Sequence, residues 1–304
     1  MTTQKKVVPD EQLGKLARRQ NALFQRTRRG NLDPELVCQE LQGLIEMRPE
    51  NWIETFLVRE LRYHWRFFGM SFGLSKLAIA LQKYGLNQIR KWKSLGLEIH
   101  FLPRLAILDD SELPGLKIKL PKGYFDLRSQ GQILRKNSDG EKSVTSFGLD
   151  GITVLIDTRL RPLLRPAGNQ MFKNDNLLGE IIERLRWDKK IKWLGPEGIP
   201  IDSRFGISVD EWEKSVKPKL AKLLEVKVSQ VRLERVIEAN VIPQLFPYMP
   251  RKDDLKTADF TFVWLEEYWQ SSDEHLCCNG LALKNLDPAV NNKHTAIRPL
   301  IILD

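Results

Sequence analysis

The stretch LARRQNALFQRTRRG at 16–30 closes a run of thirty residues that holds eight lysines or arginines against two acids. At helical spacing, Lys15, Arg18, Arg19, Arg26 and Arg29 gather on one side, while Leu13, Leu16, Ala17, Leu23 and Phe24 fall on the other. A cationic helix face suits phosphates, because neutralising them releases counterions and arginine adds a bidentate fork. Five aligned bases would make about five phosphate contacts. The plain alternative is a solvated helix face, or arginines paired with acids from elsewhere in the chain.

A second basic cluster, RLRWDKKIKWLG at 184–195, interleaves Lys189, Lys190 and Lys192 with Trp187 and Trp193. Aromatic rings among cations can stack bases. Tryptophans so placed also serve as core, with lysine stems lying over them. A third cluster, DTRLRPLLRPAG at 157–168, sets Arg159, Arg161 and Arg165 just beyond an apolar run. The expected nucleic-acid-binding set is Lys15, Arg18, Arg19, Arg26, Arg29, Lys189, Lys190 and Lys192.

Catalytic patterns are sparse. The chain has no phosphate-binding G-x-x-x-x-G-K-[ST] loop, no G-x-G-x-x-G, no G-x-S-x-G and no H-E-x-x-H. The densest metal-like run is DEHLCCNG at 273–280, with His275, Cys277 and Cys278, and His294 further on. Adjacent cysteines have poor geometry for one ion, so neither a metal nor another cofactor is expected. A metal-dependent hydrolase or nuclease is the enzymatic alternative; it needs clustered carboxylates, for which Asp157, Glu234 and Glu238 stand as candidates. Glu266 and Glu267, beside Trp264, Tyr268 and Trp269, read as exposed acids on an amphipathic edge.

The elements that must position these groups change character along the chain. Asp10 caps a first helix that Gly30 stops; Asp33, Pro34 and Glu35 open a second, with Leu36, Val37, Leu41, Leu44 and Ile45 on its inner face. The spacing predicts a helical hairpin over 10–47. Helical runs continue in ELRYHWRFF, SKLAIALQKY and LNQIRKWKSL, after which LEIHFLP, LPGLKIKLP, GYFDLRSQGQIL and GITVLIDTR read as strands, with a polar hairpin loop at 135–143. NDNLLGEIIERLR is a helix opened by Asn174 or Asp175. SVDEWEKSVKPKLAKLLE starts with a capping box, Ser208 with Glu211, and must kink or split at Pro218, whereas SQVRLERVIEANVI fits helix and strand equally. The expected fold class is α+β: a basic helical hairpin (1–50), a helical segment (51–95), and a mixed sheet with helices (96–304).

Composition sets the limits. With 304 residues, 42% hydrophobic and 29% charged, and with eight Trp and thirteen Phe, the chain can bury a real core, which excludes general disorder. Its formal charge of +9 is concentrated in the head, since residues 201–304 hold fewer bases than acids. No apolar run approaches the roughly 20 residues a membrane-spanning helix needs. The N-terminus lacks the pattern of a secretory signal, and three cysteines make no disulfide framework, so a cytoplasmic protein is expected. LARRQNALFQRTRRGNLDPELVCQELQGLIE, GITVLIDTRLRP, NDNLLGEIIERLR, DSRFGISVDEW and AIRPLIIL together resemble segments of a family of uncharacterised bacterial proteins of similar length. That resemblance brings no activity, cofactor or residue roles, and implies only that the segments form one product. The leading expectation is a non-enzymatic nucleic-acid-associated protein whose partner is DNA or RNA. A third reading is an interaction adaptor whose hairpin docks an acidic protein.

Overall fold

The computed structural model describes residues 22–29, 52–107, 113–121, 123–136, 141–146, 148–162, 175–195, 199–255, 261–270, 274–279 and 282–304. The chain divides into two compact units, Met1–Phe56 and Leu57–Asp304, which places 57–95 in the same unit as the sheets that follow. In the first unit, 22–28 is helical, with Arg26, Arg28 and Arg29 exposed and Phe24 half exposed. Lys15, Arg18, Arg19 and the rest of the expected hairpin lie outside the described residues.

Two helices lead into the second unit. Helix α1 (Trp52–Phe68) turns Glu60, His64, Phe67 and Phe68 inward, and His64 Nε2 lies 2.9 Å from the Phe101 carbonyl. Helix α2 (Ser75–Ser94) buries Leu77, Ala80, Leu81, Ile89 and Trp92. It breaks at Gly85, where φ 73° with ψ 164° demands a residue without Cβ. SKLAIALQKY and LNQIRKWKSL are therefore both helical, as their spacing predicts.

The fold is α+β, with two sheets among the described residues. In the first, β1 (Leu97–Ala106) pairs antiparallel with β4 (Gly148–Asp157), from Leu97 opposite Asp157 to Ala106 opposite Gly148. A Cβ on Gly148 would lie 1.8 Å from the Leu105 carbonyl oxygen, so only glycine lets the two backbones approach. β10 (Pro299–Ile302) and β5 (Val231–Leu233) complete the order β1-β4-β10-β5. The second sheet runs β3 (Lys142–Val144), β2 (Ile133–Lys136), β6 (Phe262–Trp269), β7 (His275–Cys278) and β8 (Leu283–Leu286). The short β9 (Thr295–Ala296) joins β6 in parallel, which makes this sheet mixed.

Two expected strands take other forms. GYFDLRSQGQIL begins as helix α3 (Tyr124–Ser129), entered through Gly123 at φ 82°, and only its end becomes β2. LPGLKIKLP forms no strand among its described residues, because the Lys117 and Ile118 amides donate to Gln244 Oε1 instead of to a neighbouring strand. Tertiary partners override β-propensity in both.

Four more helices frame the site. Helix α4 (Gly179–Trp187) follows a turn in which the Asp175 carboxylate accepts the Leu177 and Leu178 amides. The capping box of Ser208 and Glu211 opens α5 (Val209–Glu211), a π turn at Trp212–Val216 follows, and α6 (Lys217–Leu224) restarts with Pro218 in its first turn. The ambiguous segment SQVRLERVIEANVI splits into β5 and α7 (Val236–Leu245). Helix α7 is buried on nearly every side, with Val236, Ile237, Val241, Ile242 and Leu245 in the core, so it has no polar face to reveal a helical period. No helix among the described residues is long and apolar enough to cross a membrane.

Candidate nucleic-acid interface

Helix α4 ends in a left-handed turn that displays the second basic cluster. The Lys190 amide donates to the Leu185 carbonyl at 2.9 Å and the Lys189 amide to the Arg186 carbonyl at 3.0 Å, the paired bonds of a Schellman cap. Lys189 occupies the left-handed position at φ 55°, where glycine or asparagine is usual. Ile191 turns inward and is buried, while Lys189, Lys190 and Lys192 remain exposed. Among the described residues no ion pair is formed by these three lysines.

Arg186 fixes this turn to the body. It is buried, and its guanidinium donates to the carbonyls of Pro200 (3.0 Å), Ile201 (2.7 Å), Phe205 (2.7 Å) and Lys192 (3.4 Å). Burial pulls its pKa down to about 10, against the opposing pull of Glu211 and Asp202, so it stays charged at neutral pH. Of the five bases in 184–192, then, Arg186 is structural. The backbone amide of Lys192 donates to Glu211 Oε1 at 2.6 Å, which leaves its side chain outside the anchoring contacts.

The tryptophans correct one expectation. Neither Trp187 nor Trp193 is a core ring covered by lysine stems: Trp187 is 67% exposed and Trp193 38% exposed. The Trp193 indole N–H donates to the Ile199 carbonyl at 3.0 Å, which holds that ring by its edge. The Trp187 indole N–H reaches Glu183 Oε1 at 3.5 Å, a weak tether one helical turn back.

A left-handed lysine needs a reason. An L-residue in this region costs about 1–2 kcal/mol relative to glycine's freedom there. Glu225, at φ 59°, occupies the same position at the end of α6, but its carboxylate meets Lys91 Nζ at 2.5 Å. Lys189 has no such pair among the described residues. Lys189→Gly is accordingly expected to raise the urea unfolding midpoint, by an amount equivalent to about 1 kcal/mol.

The carboxylates of the enzymatic alternative are committed elsewhere. Asp157 accepts Arg159 Nε and Nη2 at 2.9 Å each and Arg204 Nη1 at 2.8 Å. Glu234 forms a two-pronged pair with Arg251, at 2.5 Å on both prongs, and Glu238 lies between Arg232 (2.6 and 2.7 Å) and Arg235 (3.2 Å). Burial alone would raise the pKa of Asp157, but Arg204 and Arg159 hold it far below the usual carboxylate range; Arg232 and Arg235 do the same for Glu238. Among the described residues no group of three His, Cys, Asp or Glu could hold a metal ion. Cys277 and Cys278 are successive residues of β7, so their side chains leave opposite faces of the sheet. Burial pushes the Cys277 thiol up to about 12 and the His275 imidazole down to about 4.

Glu267 also departs from expectation. It is buried rather than on an exposed edge, and it accepts Tyr124 Oη (3.2 Å), Thr145 Oγ1 (3.1 Å) and the Val236 amide (2.6 Å). Sequence reading passed over Arg62, Trp65 and Arg66, which are exposed on α1 with Trp65 at 64%. The signal was their spacing in ELRYHWRFF, an aromatic between bases on one helical face. No protein-family model, no curated protein and no solved structure matches the chain.

Proposed function

We propose that the protein is a non-enzymatic, cytoplasmic nucleic-acid-binding protein, in which Lys189, Lys190 and Lys192 contact phosphates and Trp187 stacks a base. The single observation that supports this best is the exposure of Trp187, at 67%, in the same tight turn as three exposed lysines. A large aromatic left in water is costly unless a flat apolar partner covers it, and lysines around it select a partner that is also anionic. A single strand meets both demands, since its bases are splayed and its backbone is charged. Arg26 and Arg29, exposed in the first unit, add cations of the same chemistry. Lys15, Arg18 and Arg19 belong to this proposal through their helical spacing with those two. Stacking is indifferent to the sugar, so both DNA and RNA strands are expected to bind.

The test is fluorescence anisotropy with the full chain and short labelled oligothymidylate and oligouridylate over a salt series. The logarithm of the binding constant should fall linearly with the logarithm of salt, with a slope of about −0.7 per phosphate contacted. Trp187→Ala should weaken binding at every salt by about 1–3 kcal/mol while leaving the slope unchanged. Binding that ignores salt, or a Trp187→Ala protein with full affinity, would overturn the reading.

A further inference from the structure

Arg66, one of the exposed bases on α1 that sequence reading passed over, lines a pocket of about 320 Å³. Three stretches far apart in the chain build it: the end of α1, the segment 114–118, and residues 243–252, which run from α7 into the 3-10 turn Pro250–Asp253. Phe67, Ile118, Pro243 and Leu245 supply apolar lining. Phe67 and Leu245 also belong to the hydrophobic core, so part of the pocket wall is the edge of the interior.

The walls are fixed without any occupant. The Gly115 amide donates to the Phe67 carbonyl at 2.8 Å, which fastens the segment to α1. A Cβ on Gly115 would lie 2.5 Å from the Phe67 ring, so glycine is what permits this approach. On the other side Gln244 holds the same segment to α7. Its Oε1 accepts the Lys117 and Ile118 amides at 2.9 and 2.8 Å, and its Nε2 donates to the Ile118 carbonyl at 2.9 Å and to Asn240 Oδ1 at 3.0 Å. A pocket tied at both sides in this way is preformed, the usual condition for binding a small molecule.

Its charge is one-sided. Arg66, Lys117 and Lys252 line it, all three exposed, and no acid among the described residues does. None of the three makes an ion pair or a side-chain hydrogen bond among the described residues. Other lysines of this unit do find acids: Lys76 meets Asp304 at 2.8 Å, and Lys217 meets Glu213 at 2.7 Å. Cations gathered from three elements with no acid between them repel one another, and an anion in their midst turns that repulsion into attraction. The apolar lining asks for more than a bare ion. A cavity of about 150 Å³ is enough for benzene, so this one has room for a larger hydrocarbon body.

We propose that this pocket binds one small amphipathic anion, with a hydrocarbon body against Phe67, Ile118 and Leu245 and a carboxylate or phosphate head among Arg66, Lys117 and Lys252. The site shares no residue with the turn that carries Trp187, and the inference is independent of nucleic-acid binding. Isothermal titration calorimetry of the full chain at constant ionic strength, with octanoate, octyl phosphate and neutral octanol, tests it. Saturable binding of one equivalent of octanoate or octyl phosphate is expected, the tighter of the two identifying the head, with octanol weaker by about tenfold or more.

Arg66→Gln, Lys117→Gln and Lys252→Gln together should weaken the anion by about tenfold or more and leave the urea midpoint unchanged, since all three side chains are exposed. Ile118→Trp keeps every charge and the backbone bonds to Gln244 but enlarges a lining side chain, and should weaken anion and octanol alike. Trp187→Ala should leave octanoate binding unchanged, so failure of the strand-binding reading and failure of this one are distinguishable. The proposal is overturned if neither anion binds saturably, if octanol binds as tightly as the anions, or if the triple variant or Ile118→Trp binds as the parent does. Asp109, Asp110 and Glu112, close before Pro114 in sequence, lie outside the described residues. Tighter octanoate binding after Asp109→Asn, Asp110→Asn and Glu112→Gln would make the chain's own acids the occupant and overturn it too.

Discussion

Arg204→Met is expected to lower the unfolding free energy by about 3–5 kcal/mol, because it removes the one fully buried cation from two buried carboxylates and leaves them to the partly exposed Arg159. Arg204 is fully buried and reaches two acids at once: Nε and Nη2 donate to Asp175 at 2.5 and 2.9 Å, and Nη1 donates to Asp157 Oδ2 at 2.8 Å. Asp157 ends β4 and Asp175 starts the turn into α4, so this guanidinium ties the first sheet to the helix that presents Trp187. Arg159 also touches both acids, at 2.9 and 2.7 Å, but its side chain is 22% exposed and its compensation is correspondingly screened. Adding Asp175→Asn to the Arg204→Met chain should restore part of the loss, since it removes one of the two stranded charges. Equilibrium urea unfolding gives both numbers. A single-variant loss below about 1 kcal/mol would show that the network is solvated and its geometry immaterial.

The same arginines set a sign for acid. Burial works to raise the pKa of Asp157 and Asp175, and the attraction of Arg204 and Arg159 outweighs it, so both are lowered in the folded chain. A lowered carboxylate contributes its full stability above its unfolded value, near 3.8 here, and loses it as pH falls towards the folded one. Glu267 runs the other way: burial raises it, so it favours the fold while it keeps its proton. The slope of stability against pH below about 4 should therefore be shallower in Arg204→Met than in the parent chain.

Local elements were legible where one rule governed them. The capping box at Ser208 and Glu211 and the long β4 follow from residue type and spacing, whereas Pro218 lies in a run that stays helical through a π turn at Trp212–Val216. Helix α7 was not legible, because its apolar positions go all the way round and the 3.6-residue period disappears. Tyr124–Ser129 read as strand because Tyr and Phe favour strands, but Tyr124 is drawn in by Glu267, a residue far along the chain. Among the cations, position in sequence did not say which would be exposed. Arg186 and Lys189 are three residues apart in one basic cluster; one is fully engaged with carbonyls and the other projects into solvent. Glu234 and Asp157 carried charge whose partners, Arg251 and Arg204, only the tertiary fold brings near, and Arg161 reaches the Asn279 carbonyl in the same way.

Changing Lys189, Lys190 and Lys192 together to glutamate is expected to abolish oligonucleotide binding at moderate salt. Three phosphate contacts account for about 2 of the salt slope, and the reversed charges add repulsion to that loss. The fold should be unaffected, within about 0.5 kcal/mol, because the three side chains are exposed and the anchoring bond of Lys192 runs through its backbone amide. Reversing Arg26 and Arg29 provides the comparison. If the two surfaces act together on one strand, each set should reduce the slope by its own number of contacts, and the combined variant should show the sum. Full affinity in the lysine variant, with loss in the arginine variant, would assign binding to the first unit alone and leave the strained turn at Lys189 without this purpose. Because stacking on Trp187 has little salt dependence, binding that remains when the lysine and arginine sets are both reversed should vary little with salt and should vanish when Trp187→Ala is added.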